Sequence, residues 1–184
     1  MIYILAGIAK SGKSLIAKEM IKRYHMEVIA TDRIMMMLHH GNKDLKIDVT
    51  RSDQSVSQML EPYIGGLITS LINSKKDVLI EGVHIQPQFA KHLAQKYRGK
   101  LKILFLGYKD IKPNIKQQEL LDYAHLLDNP WYLDYDADAF TKLINYLIKE
   151  SNALEKACLK YGQTYYEVQS VTNQMDDIIN KLIN

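Results

Sequence analysis

Gly7-Ile8-Ala9-Lys10-Ser11-Gly12-Lys13-Ser14 is the stretch whose reading decides the fold of this chain. It fits the pattern G-x-x-x-x-G-K-[ST] at every fixed position. Each fixed residue type has a physical reason. Gly7 and Gly12 let the backbone turn without a Cβ clash and approach an anion closely. Successive N–H groups, running through Ala9, Lys10 and Ser11, then converge into an anion-binding nest. The N-terminus of a following helix adds partial positive charge. Lys13 places an ammonium between the β- and γ-phosphates of a nucleoside triphosphate, and the Ser14 hydroxyl is a magnesium ligand. The flanks give the string its meaning. An apolar strand at 2–6 precedes it, and an amphipathic helix at about 13–24 follows, with Ile16, Met20, Ile21 and Tyr24 at helical spacing.

Outward from the loop, short apolar runs alternate with amphipathic helices, the pattern of an α/β fold with a parallel sheet. Further strands are expected at 27–30, 77–81, 102–106 and 165–168. Val56, Met59, Leu60, Tyr63, Ile64, Leu67 and Ile68 recur at helical spacing and predict a long helix over 56–72. Pro62 and Gly65-Gly66 predict a kink in it. Other helices are expected over 88–97 and 140–161, and a last one capped by Asn173. Residues 41–55 read as polar loop, and 109–139 as the least regular stretch, a lid or flap.

The bulk numbers fit this outline. The 184 residues make one ordinary domain over 1–184, 47% hydrophobic and 24% charged. The net charge of +3 comes from lysines and arginines scattered among acids, which argues against a long nucleic-acid partner. The single cysteine, Cys158, excludes an internal disulfide and reads as a small core residue. There is no basic leader before the first apolar run, and no apolar stretch nears the ~20 residues of a membrane helix. The expectation is a cytoplasmic protein without a membrane partner. Oligomeric state is not legible.

Several residues outside the loop carry candidate chemistry. Asp32 falls at the end of the second strand, where ligands gather in open α/β sheets. There it either hydrogen-bonds an acceptor hydroxyl and takes its proton or caps the next helix. Arg33 beside it is an anion-holding guanidinium or a solvated surface residue. Glu81 ends the apolar run Val78-Leu79-Ile80, and its carboxylate either supports magnesium or orients the acceptor. His84 lines the same pocket or is structural. His39-His40 lacks a partner at zinc spacing and reads as polar loop. Met35-Met36-Met37 reads as core filler in preference to a flexible pocket wall. Trp131-Tyr132-Leu133-Asp134-Tyr135 reads as a surface loop anchored by one buried tryptophan, in preference to an adenine-stacking flap.

No Asn-Lys-x-Asp string marks a guanine-binding protein, since Asn42-Lys43-Asp44 lacks the spacing. With the loop, Ala30-Thr31-Asp32-Arg33 and Leu79-Ile80-Glu81-Gly82-Val83-His84-Ile85-Gln86-Pro87, the chain resembles the P-loop small-molecule kinases. That group includes nucleotide, shikimate and gluconate kinases. The last string is similar to a segment of 2-phosphoglycerate kinases. The resemblance implies a three-layer fold, with a five-stranded parallel sheet and helices on both faces. It also implies ATP, Mg2+ and a small-molecule acceptor opposite the phosphate loop. Lys13, Asp32 and Arg33 would be catalytic, with Asp32, Arg33, Glu81 and His84 at the acceptor and Ser14 and Glu81 at the metal.

The expected activity is transfer of the γ-phosphoryl group of ATP to a hydroxyl or phosphate of a small metabolite or nucleotide. Two alternatives stay open: an ATP-binding regulatory module without transfer, and a toxin-like kinase of nucleic-acid ends or nucleotide sugars. One departure bears on all three. Such kinases close arginines over the transferring phosphate, yet the arginines here are only Arg23, Arg33, Arg51 and Arg98. The lid stretch offers Lys109, Lys112 and Lys116 instead. Either these serve, or Arg33 or Arg51 reaches in, or transfer is slow.

Overall fold

Strand β1, Ile2–Gly7, is covered on both faces, which is why it reads as a nearly unbroken apolar run. The computed structural model describes residues 1–49, 52–74, 76–127 and 130–184. In it β1 lies between β3, Val78–Gly82, and β4, Leu101–Gly107, with β2, Glu27–Ala30, outside β3 and β5, Tyr165–Glu167, outside β4. All pairings are parallel, in the order β2-β3-β1-β4-β5. The register sets Ala6 beside Gly82 and Ala30 beside Glu81, so three strand ends open onto one edge.

Helices cover both faces. Ile4, Ala6, Ile80 and Phe105 pack against α2 (Thr31–Gly41), α3 (Asp53–Leu71), α4 (Pro87–Lys96) and α6 (Ala137–Tyr161). Leu5, Leu79, Leu104 and Leu106 pack against α1 (Lys13–Tyr24) and α7 (Met175–Ile183). The remaining helix, α5 (Pro113–Asp122), lies against α6. Cys158 is buried in the first core. Among the described residues no helix is long and apolar enough to cross a membrane.

Some boundaries differ from the expected ones for identifiable reasons. The buried stripe of α1 is Lys13, Ile16, Ala17 and Met20, and Ile21 and Tyr24 are exposed. Ile21 lies one residue off that stripe, and Tyr24 is the last residue of the helix. The region expected as loop at 41–55 loses its ends to α2 and α3 and holds a 3-10 turn at Lys43–Leu45. Helix α3 starts early because Ser52 caps it, its Oγ accepting from Ser55 N at 3.4 Å, and it runs on through Pro62 and Gly65-Gly66. Asn173 does not cap α7. Gln174 holds that position, and its Oε1 accepts instead from Gln169 N and Ser170 N, at 2.7 and 3.0 Å. In the irregular stretch, α5 went unseen because its buried positions are Lys116, Glu119 and Leu120, which make no apolar stripe.

Candidate active site

Residues 7–14 leave the end of β1 with Lys10 and Gly12 in left-handed backbone, at φ 62° and 91°. A side chain at position 12 would collide with the loop before α7, since a Cβ there would stand 2.3 Å from Val171 Cγ2. Gly12 therefore heads α1 with no side-chain cap. The first N–H groups of the helix are left to an outside acceptor, which an anion can be.

Lys13 is buried, and its Nζ donates to Ile8 O at 2.6 Å, Gly7 O at 3.2 Å and Ser11 Oγ at 3.3 Å. Burial lowers its pKa, opposed by the carboxylates of Glu81, Asp32 and Asp53, which surround it. Ser14 Oγ donates to Glu81 Oε1 at 3.4 Å. Glu81 is buried at the C-terminal end of β3, where burial raises its pKa and the Lys13 charge works against that rise. A hydroxyl and a buried carboxylate side by side form a hard-oxygen pair. This suits magnesium, which takes one or two protein oxygens and completes its shell with phosphate and water.

Across from the loop, β2 ends at Ala30 and α2 begins at once, so Asp32 sits in the first helical turn. It is not the cap, because Ala30 holds that position with no side-chain bond. Its Oδ1 lies 3.4 Å from His84 Nδ1, and the same nitrogen is 3.1 Å from Thr31 Oγ1. Thr31 and His84 are both buried. Burial lowers the imidazole's pKa despite the nearby Asp32 and Asp53 charges, so His84 is neutral near pH 7. Gly82 makes this arrangement fit, at φ 151°, since a Cβ there would stand 1.8 Å from Thr31 Oγ1. Threonine and histidine thus clip the ends of β2 and β3 together and hold Asp32 at the opening.

A cavity of about 600 Å³ joins the two sides and is lined by Lys13, Ser14, Asp32, Arg33, Glu81 and His84. Asp32, Arg33, Glu81 and His84 therefore converge there. Arg33 is exposed and has no ion-pair partner among the described residues. Met35 packs against the first core and lines the cavity with Met36, whereas Met37 points to solvent, so core filling describes only Met35 of the triplet. His39 Nδ1 is 2.8 Å from Ile47 O, apart from the cavity. Among the described residues no cluster of His, Cys, Asp and Glu could cage a metal by itself.

The structure adds residues the sequence did not single out. Asp53, at the start of α3, lines the cavity opposite Lys13; burial raises its carboxyl's pKa, against the pull of His84 and Lys13. A Ser-Asp pair before a helical pattern was its only signal. Behind the loop, Tyr108 Oη donates to Ala9 O at 2.7 Å. Lys116 Nζ lies 4.2 Å from the Tyr108 ring centre and donates to Glu119 Oε2 at 2.6 Å. Glu119 Oε1 accepts from Val171 N at 3.0 Å. Because Val171 abuts Gly12, these contacts make a closed support around the loop. Of the lid lysines, Lys116 lines the cavity, while Lys109 pairs with Asp110 at 2.8 Å and Glu155 at 3.5 Å. Arg51 lies outside the described residues.

The aromatic stretch also differs from expectation. Tyr132 is the buried anchor, its Oη donating to Leu120 O at 2.7 Å and its ring stacked on Phe140. Trp131 is 38% exposed and lines the cavity. Lys10 Nζ lies 4.6 Å from its ring centre and 4.8 Å from that of Tyr132. Burial, helped by the Lys13 charge, brings the Lys10 pKa down to about 8.

No protein-family model matches the chain, and no curated protein does. Solved structures do. A shikimate kinase from Bacteroides thetaiotaomicron aligns over 100% of this chain and 99% of its own, at TM-score 0.60 and 12% identity. A gluconokinase from Sinorhizobium meliloti 1021 covers 98% and 91%, at TM-score 0.56 and 14% identity. A deoxyadenosine kinase from M. mycoides with bound dATP covers 100% of both chains, at TM-score 0.51 and 16% identity. The chain has the fold of the P-loop small-molecule kinases.

Proposed function

We propose that this protein is an ATP-dependent phosphotransferase acting on a small-molecule acceptor. One observation carries the reading. A single cavity joins Lys13 and Ser14 on one side to Asp32 on the other, which is the layout that in-line phosphoryl transfer requires. The fold likeness supports it.

The chain's residues divide the work by position. The backbone from Gly7 to Ser14, with Ala9, Lys10, Ser11 and Gly12, cradles the triphosphate. Lys13 exchanges its loop carbonyl partners for phosphate oxygens. Ser14 and Glu81 hold Mg2+, which when bound neutralises charge on the phosphates. Asp32, fixed by His84, accepts the hydrogen bond of the acceptor hydroxyl and orients its oxygen. As the new P–O bond forms, the hydroxyl proton passes to the Asp32 carboxylate, and ADP departs with the electron pair of the broken bond. Arg33 meets charge on the transferring group from the open side, in place of a lid arginine. Lys116 is committed to Glu119 and supports the loop from behind.

The test is acceptor-dependent ADP formation from ATP and Mg2+ over a panel of sugars, nucleosides, nucleotides, phosphoglycerates and hydroxy acids. Release that depends on an acceptor and is lost in Lys13→Ala is the expected result. ATP binding with no release on any acceptor would support a regulatory module instead.

A further inference from the structure

The cavity is electrically divided. Its lysines stand on the phosphate-loop side: Lys10 and Lys13 in the loop, Lys18 on α1, and Lys116, paired with Glu119, on α5. The wall facing them carries the carboxylates of Asp32 and Asp53 and the neutral imidazole of His84. Arg33 is the only guanidinium on that wall among the described residues, and it stands at the exposed rim. Met35, Met36, Val56 and Val83 fill in the surface between the charges.

An ionised carboxylate only accepts hydrogen bonds, so such a wall is satisfied by O–H and N–H donors. A phosphate or carboxylate brought into it would be desolvated against two like charges, and like-charge contacts of that kind discriminate strongly between ligands. Asp53 lines the cavity and is exposed there, so a donor on the acceptor takes the place of the hydration that binding displaces. The methionines and valines add an apolar surface for the carbon face of a ring.

The geometry points to an acceptor alcohol that carries no negative charge, a neutral or cationic polyol, nucleoside or amino alcohol, with Asp53 as the residue that selects it. This rests on the kinase reading above. Asp32 takes the reacting hydroxyl, and Asp53 takes a second hydroxyl or an amine on the same molecule. The reading excludes phosphoglycerates and nucleotides as preferred acceptors, even though a short segment of the chain resembles enzymes of that kind.

The test uses matched pairs that differ in one anionic group: adenosine and its 5′-monophosphate, ribose and ribose 5-phosphate, glucosamine and its 6-phosphate, glycerol and glycerate. In whichever pair is turned over, kcat/KM is expected to favour the member without negative charge by about tenfold or more, about 1.4 kcal/mol. Asp53→Asn should narrow that ratio mainly through KM, and Asp53→Lys should reverse it. Preference for the anionic member, or a ratio unmoved by Asp53→Asn, overturns the proposal while leaving the kinase reading intact. If no pair is turned over although ATP binds in a Lys13-dependent way, the kinase reading fails and the proposal with it. Should the Asp53 variants not fold, the preference of the unmodified protein decides.

Discussion

Replacing Gly82 by alanine puts one methyl group where the structure has no room for it. The new Cβ would stand 1.8 Å from Thr31 Oγ1, 2.9 Å from Thr31 Cβ and 3.2 Å from Thr31 Cγ2. Rotating the hydroxyl away leaves the Cβ contact, and Thr31 is fully buried. The backbone at φ 151° is itself strained for any side chain, a cost of about 1–3 kcal/mol. Overpacking adds about 1–3 kcal/mol, and the lower entropy of an unfolded alanine gives back about 0.4–1 kcal/mol. The net loss is about 1–6 kcal/mol, which for a chain of this size lowers Tm by roughly 2–20 °C or slightly more.

Gly66→Ala is the control. Gly66 lies inside α3, and its Cβ would meet nothing within 4 Å. That substitution should stabilise by about 0.5–1 kcal/mol. Urea and thermal unfolding followed by circular dichroism read both signs. A second readout separates the site from the fold. Gly82→Ala moves Thr31 and with it His84 and Asp32, but no residue of 7–14. Nucleotide affinity in the folded fraction should therefore hold within about threefold while kcat/KM for the acceptor falls by about tenfold or more. A Gly82→Ala protein as stable as the parent would refute the clip between β2 and β3.

Further outcomes follow from the charges. Lys10 titrates near 8 within the fold against its ordinary 10.5, so its charged form is disfavoured there. The penalty on stability is present below about 8 and is relieved as pH rises toward 10.5. Phosphates favour the protonated form, so nucleotide affinity should fall as pH rises through about 8. Binding above that pH should take up a proton, visible as calorimetric heats that vary with buffer ionisation enthalpy. Lys10→Met should abolish both effects, and buffer-independent heats in the parent would count against them. Lys116→Met strands the buried Glu119 carboxylate and should cost about 3–5 kcal/mol in unfolding free energy. Lys109→Met, at a more accessible pair, should cost at most about 1 kcal/mol. Equal losses from the two would contradict the support behind the loop.

How much of this was legible in the sequence follows from what each element buries. The strands and α1 were readable because apolar side chains fill both faces of the sheet, as Leu5 and Leu79 do on one side and Ile4 and Ile80 on the other. Helix α5 was not, since it buries a lysine and a glutamate that only tertiary pairing satisfies. The phosphate loop was legible because backbone geometry dictates its residue types. Asp32, Glu81 and His84 could be placed at strand ends but not paired, because the Asp32–His84 contact depends on the register of β2 against β3. Asp53 escaped notice because nothing in its neighbours shows that α3 aims its first turn at the cavity. Trp131 was misjudged because sequence does not reveal which of two adjacent aromatic rings is buried, and here it is Tyr132.

The central claim is that Asp32 acts on the acceptor and not on the nucleotide. Asp32→Asn keeps the shape of the side chain and removes its capacity to take a proton. The decisive measurement is nucleotide affinity and single-turnover phosphoryl transfer side by side in this variant. ATP bound as in the parent, with transfer reduced by a factor of about 100 or more, is the result the account requires. Transfer at the parent rate, or affinity and transfer lost together, would contradict it.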